Sequence, residues 1–326
     1  MPQFFSSTVA FARRHPRWVA GVQIAAVAVF VGAALWAISG ELDAAGERLA
    51  DASVLEFFLG CAAIAAYYLL FVVGWMVILA AWGVRIGYGA ALQAEMVSML
   101  AKYVPGGIWT PAARVVAARR AGITDTGLVT ASILVEAALS AIAGVLVFVV
   151  SLTWVGDVNA HVPALVAFAS LLVAALYPRI FEPAASWVTT RLGGAPVRPL
   201  PWRTIALLLA YYSFTWVVGG VGLYLLVRSV GGHPGLETIP FLGGVGAVGA
   251  IVAILSVFAP SGLGPREASM YALLLAVTSP AAALGAVALN RLAITVVEVL
   301  LFVVGGLLLR RRHARDLERA TASAAP

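Results

Sequence analysis

Charge is scarce in this chain: Asp, Glu, Lys and Arg make up 11% of its 326 residues, against about a quarter in an ordinary soluble domain. So few ionisable groups cannot cover a water-exposed surface, which excludes a soluble globular fold. Cysteine is scarcer still, since Cys61 stands alone inside an apolar run and rules out an intramolecular disulfide. No Cys/His cluster has metal-ligand spacing, and no P-loop, nucleophile elbow, HExxH or dinucleotide fingerprint occurs. The Gly262-Leu263-Gly264 run lacks the strand–turn–helix context that such a fingerprint needs. No metal, no cofactor and no enzymatic activity is therefore expected. The net charge of +6 does not point to nucleic acid, because the cations fall in short clusters beside apolar runs rather than on a polar domain.

What the chain has in abundance is apolar sequence, 62% of residues with a mean hydropathy of +0.98. Runs near 20 residues recur along it, each about long enough to cross a ~30 Å hydrocarbon core as a helix. Six full spans are expected at 18–38, 54–81, 127–153, 161–177, 204–228 and 283–309. The first is too long for a signal-peptide core and has no clear cleavage site, so it is read as a transmembrane helix.

Loop charges orient the spans. Arg13, Arg14 and Arg17 precede the first, whereas Glu41, Asp43, Glu47 and Asp51 follow it against a single Arg48. This places residues 1–17 in the cytoplasm, together with the basic tail 310–326. Trp-containing span ends suit an aromatic belt, and 178–203 reads as an amphipathic cytoplasmic linker.

Two further apolar segments run into Pro/Gly clusters. With both termini inside, 90–121 must enter and leave from the cytoplasm and 239–280 from the exterior, so each reads as a re-entrant hairpin. Span, span, hairpin, span then repeats with opposite orientation in halves at about 18–153 and 161–309, joined near 154–160. The expected fold is all-α and polytopic, an inverted repeat whose broken segments mark a binding site. Plain kinked helices are the alternative.

The first hairpin tip is Pro105-Gly106-Gly107, flanked by Lys102 and Arg114; the second contains Pro260, Gly262 and Gly264, followed by Pro265, Arg266 and Glu267. Proline and glycine free backbone groups, which at membrane depth must face protein or water. A helix restarting at Pro265 would offer N–H groups, and Arg266 a bidentate fork, to a phosphate. Within the spans lie Glu136, Asn290, Arg291 and Glu298, expensive there unless they face the bundle interior. Arg291 and Glu298 are two turns apart on one face, so each is expected to find its partner elsewhere. Structural pairs such as Glu136 with Arg114, or Arg266 with Glu298, and direct substrate contact are both open. Glu95 is read as more often interfacial than interior, and His161 and His233 as interfacial.

The two motifs KYVPGGIWTPAAR (Lys102 to Arg114) and PSGLGPREA (Pro260 to Ala268), followed by Asn290-Arg291, resemble the transmembrane region of lysylphosphatidylglycerol synthases and the wider flippase-like membrane family. The resemblance covers about 18–309. The family's first motif is matched by Lys102, Tyr103, Pro105, Gly106, Gly107 and Arg114, its second by Pro260, Gly262, Gly264, Arg266 and Glu267, and its last-span arginine by Arg291. One departure is Ala137, where an arginine commonly follows the glutamate at 136. The resemblance implies a lipid-handling membrane domain. Synthase members carry a C-terminal aminoacyl-transfer domain, which does not follow here, so aminoacyl transfer is not expected.

The expected function is movement of a polar or anionic phospholipid or glycolipid between leaflets of the cell membrane. Lys102, Tyr103, Arg114 and Arg266 would bind the head group. Glu136, Glu267, Arg291 and Glu298 would act as buried ion pairs or gates. The alternative is a non-transporting subunit that presents lipid to a separate lipid synthase or glycosyltransferase.

Overall fold

The computed structural model describes residues 42–102, 109–155, 199–256 and 262–323. The expected spans 18–38 and 161–177 and most of the 178–203 linker lie outside them. Among the described residues the chain is all helical, and it is a multi-pass α-helical membrane protein. Five segments are long and apolar enough to cross a bilayer, Val54–Ala81, Thr126–Ser151, Trp202–Ser229, Leu236–Leu255 and Pro280–Leu307.

The elements are α1 (Leu42–Ala50), α2 (Val54–Ala81), α3 (Tyr88–Ala101), α4 (Trp109–Arg120), α5 (Thr126–Ser151), α6 (Trp202–Ser229), α7 (Ile239–Leu255), α8 (Pro265–Leu274) and α9 (Pro280–Ser323). Local chemistry starts the long helices. The Ser53 hydroxyl accepts from the Glu56 N–H at 3.4 Å ahead of α2, and the Asp125 carboxylate accepts from the Leu128 N–H at 2.9 Å ahead of α5, each satisfying a donor that the first turn leaves orphaned.

Two features depart from the sequence reading. The acidic loop after residue 41 contains a helix, α1, which packs on α9 and whose Arg48 donates to the Gly231 carbonyl at 3.1 Å. The last helix does not end near 309 but continues to Ser323, because residues 310–323 are free of Gly and Pro and rich in Arg and Ala, strong helix formers.

At ~1.5 Å per residue, α3 (14 residues), α4 (12) and α8 (10) reach only roughly 15–21 Å, too short to cross. They are limbs of the two hairpins, α3 with α4 and α7 with α8. The helix α7 is the longest limb, and with the preceding turn it satisfies the length for a crossing. Its register against α5 fixes where it ends. Gly244 lies on Phe148, and one turn further along α7 Ala247 lies on Gly144, so the antiparallel helices bring Leu255 level with about Glu136. That residue stands roughly 15 Å in from the start of α5. The chain then turns at Gly262 and Gly264, whose φ values of 66° and 91° are left-handed and open to glycine at little cost. Gly262 sits against Ala253, with no room for a Cβ, and Gly249 faces Arg266 and Met270 as α8 returns along α7.

Contacts between elements come in matched sets. α3 packs on α9 as α7 packs on α5, α2 on α9 as α6 on α5, α4 on α5 as α8 on α9, and α2 pairs with α6 across the centre. This is the contact pattern of two halves related by a twofold operation, with each hairpin leaning on the last span of the opposite half. Three apolar clusters follow. One surrounds the first hairpin (Trp75, Leu79, Leu92, Met96), one the second (Phe241, Leu242, Met270, Leu274), and one joins α2, α5 and α6 (Phe71, Leu139, Tyr212, Trp216). Outer-face side chains such as Leu55, Phe58, Phe214 and Leu300 stay exposed, as lipid contact requires.

Candidate functional site

Where the hairpins meet the long helices, buried charge is concentrated. The first hairpin contributes Glu95 and Ser98 from α3, Lys102 just beyond it, and Arg114 from α4. Residues 95, 98 and 102 share one helical face. Arg114 forms ion pairs with both Glu95 and Glu136 of α5. All three are within 3% of complete burial. The guanidinium is held further by its Nε donating to the Ser98 hydroxyl at 3.2 Å and by the Trp75 ring, 5.2 Å away. Trp75 is itself fixed by Nε1 donating to the Ser132 hydroxyl at 2.8 Å. In this triad Glu95 Oε2 is buried without a hydrogen-bond partner, and Tyr212 lies against Glu136.

A second group lies toward the hairpin tip. Lys102 pairs with Glu298 of α9, which also accepts from the Tyr68 hydroxyl at 2.5 Å. Glu298 is fully buried. On the second hairpin Glu267 accepts from the Gly264 N–H at 2.7 Å and pairs with Arg291 at 3.4 Å. The donor at the start of α8, expected to be open to an anion, is thus already capped by the helix's own carboxylate. Arg266 stands next to it, half-buried. Its charge is felt at Tyr67, Tyr68 and Lys102, yet among the described residues no carboxylate lies within ion-pair distance of it.

The structure therefore joins Arg114 to Glu136, one of the pairings considered from sequence, but not Arg266 to Glu298. Lys102 takes Glu298 instead, because the first hairpin packs on α9 across the repeat. Arg291 and Glu298 each find a partner off their own helix. Tyr103, Pro105, Gly106, Gly107 and Pro260 lie outside the described residues. Asn290 is buried and donates weakly to the Met270 sulfur at 3.8 Å. For Glu95 the sequence left an interior and an interfacial place open and favoured the second; the structure puts it inside. The i, i+3, i+7 spacing of Glu95, Ser98 and Lys102 is the signal that finds it, since one face then carries three polar groups. Tyr68 and Tyr212 carry no comparable signal.

Beside this charged core, α3, α4 and α9 enclose a cavity of about 1040 Å³ lined mainly by small apolar side chains, including Ala94, Val97, Ala113, Val116, Phe302 and Val303. Trp109 and Arg120, at opposite ends of α4, mark its two ends. Chemically, the site offers a cation that has no carboxylate within ion-pair distance among the described residues, a set of exchangeable ion pairs, and an apolar trough alongside them. A family model described as lysylphosphatidylglycerol synthase TM region matches residues 23–305. No curated protein matches the chain.

Proposed function

This chain belongs to the lysylphosphatidylglycerol synthase transmembrane-region family, and from that premise we propose that it moves a polar or anionic lipid between the leaflets of the cell membrane without modifying it. The observation that carries this reading is Arg266, an intramembrane cation without a carboxylate partner among the described residues, placed beside Lys102 at the meeting of the two hairpins. A buried charge of this kind is costly unless something compensates it. A head-group phosphate supplies that compensation with the bidentate geometry an arginine favours. Lys102 exchanges Glu298 for the phosphate as the head group passes, and the apolar cavity along α4 shelters an acyl chain. The hairpins, being half-length and turned in opposite directions, can each yield toward one leaflet.

The test is lipid exchange in liposomes reconstituted with the purified protein, read by quenching of labelled anionic, glycosylated and zwitterionic lipids from outside. The expected result is exchange of at least one anionic or glycosylated lipid well above the rate in empty liposomes. Arg266→Gln should slow it about tenfold, the equivalent of roughly 1.4 kcal/mol for one charge-assisted contact. Exchange no faster than in empty liposomes across the panel would sink the transport reading and favour a subunit that presents lipid to a separate lipid synthase or glycosyltransferase.

The same proposal places both termini in the cytoplasm, with the first hairpin entering from that side and the second from the exterior. Positive loop charge supports it. In a Cys61→Ala background, cysteines introduced at exposed Thr124 and His233 should be labelled by an impermeant reagent from opposite sides, Thr124→Cys only after the cytoplasmic face is opened. Labelling of both from one side breaks the arrangement.

A further inference from the structure

Among the described residues, eight ionisable side chains gather around the hairpins. Four are cations, Lys102, Arg114, Arg266 and Arg291; four are carboxylates, Glu95, Glu136, Glu267 and Glu298. Their formal charges cancel, but not locally. Glu298 has Lys102 and the Tyr68 hydroxyl; Glu267 has Arg291 and the Gly264 N–H. Glu95 and Glu136 share one guanidinium between two carboxylates, and the charge that compensates the second of them resides at a distance, on Arg266. Arg266 is also the group that the anionic head group occupies in the reading above, on which this inference rests. Once an anion neutralises Arg266, the cluster holds one uncompensated negative charge in a medium where that is very unfavourable.

We propose that each anionic lipid head group taken up at Arg266 is accompanied by one proton taken up by the Glu95–Glu136 pair. The pair is where the proton goes, for three reasons. It is the only place among the described residues where two carboxylates share one cation. Both carboxylates are enclosed, and Glu95 Oε2 is buried there without a hydrogen-bond partner. A proton there turns an orphaned acceptor into a donor. The groups facing the pair are Arg114 and Ser98 on the hairpin, Trp75 and Tyr67 on α2, Tyr212 on α6 and Glu298 on α9; α7 has no charged residue to offer. Among these described residues only Arg114 is a cation. Glu95 and Arg114 ride on the hairpin while Glu136 belongs to the long helix α5. Departure of the anion restores the compensating charge on Arg266, and the proton returns from the pair to water. The lipid is thereby linked to the proton gradient, which supplies direction without a nucleotide.

Calorimetric binding of short-chain phosphatidylglycerol to the purified full chain, repeated in buffers of different ionisation enthalpy, reads the protons taken up per lipid bound. The expected value is about one for the wild type, by linkage between the two sites, and near zero for Glu95→Gln and Glu136→Gln, each of which leaves a neutral Arg–carboxylate pair and retains binding. Glu56→Gln, at the separate pair with Arg228 (2.9 Å), should still give about one. Saturable lipid binding with no proton uptake by the wild type overturns the inference and leaves the lipid reading standing. Absence of binding by any anionic lipid in the panel removes the lipid reading, and this inference with it. If one Gln variant fails to fold the other serves, and the wild-type stoichiometry decides alone.

Discussion

Arg114→Met is expected to cost about 3–5 kcal/mol of stability, the loss typical when one partner of a buried ion cluster is removed. The reason lies in what remains. Glu95 and Glu136 keep their burial, 0% and 2% exposed, while the cation in contact with both is gone, together with the hydrogen bond to Ser98 and the stacking on Trp75. Methionine fills much of the same volume, so the penalty is electrostatic rather than a cavity. Thermal unfolding in detergent and the yield of monodisperse protein report it. The control separates charge from shape: Arg114→Met combined with Glu95→Gln and Glu136→Gln removes the unpaired carboxylates and should recover most of the loss. A single variant as stable as the wild type, or a triple no better than the single, would show that the three side chains are not an electrostatic unit.

The second large effect comes from backbone contact rather than charge. Gly243 of α7 faces the Trp216 carbonyl of α6 so closely that a Cβ has no place, and Gly220 of α6 faces the backbone of Ile239 and Gly243 in return. Glycine on both sides is what lets these helices touch, as small residues do where helices pack within membranes. Gly243→Val therefore forces α6 and α7 apart, and the obstructing atoms are backbone that cannot rotate away. The expected loss exceeds the about 1–3 kcal/mol of ordinary overpacking, and lipid exchange should fall with it because α7 carries α8 and Arg266. Gly246→Ala, one turn on, meets only the Trp216 ring edge at 3.8 Å and should be nearly neutral. Equal damage at both positions would show that close backbone approach at Gly243 is not what sets the loss, since alanine is the better helix former.

These two sites also mark what sequence discloses and what it withholds. The half-length limbs are legible because Pro and Gly interrupt apolar runs, and Glu136, Arg114, Arg291 and Glu298 are legible as charges in the wrong solvent. Their partners are not, since Lys102 and Glu298 stand 196 residues apart and Tyr68 and Glu298 stand 230 apart. No local pattern encodes a contact across the repeat. Glu95 is hidden for a related reason. A lone acid on a 14-residue helix looks like an interfacial residue until the guanidinium it serves is located. The helix α1 and the continuation of α9 past the span end lie outside a reading made from apolar runs alone, although Arg and Ala favour the helix. The crossing of Gly243 over Gly220 is likewise invisible, because glycine in an apolar helix has many uses and only the facing backbone selects one.

The reciprocal packing of the halves has a consequence for how the chain is made. Lys102 leaves the ribosome 196 residues before the carboxylate it finally pairs with. At about 5–20 residues per second that is a wait of roughly 10–40 seconds. Until α9 arrives, the first hairpin has no last helix to lean on and its lysine has yet to meet Glu298, so it cannot settle at depth. The first half of this protein is thus completed by a helix synthesised long after it, so its insertion includes a late docking event across the halves rather than two independent folding steps.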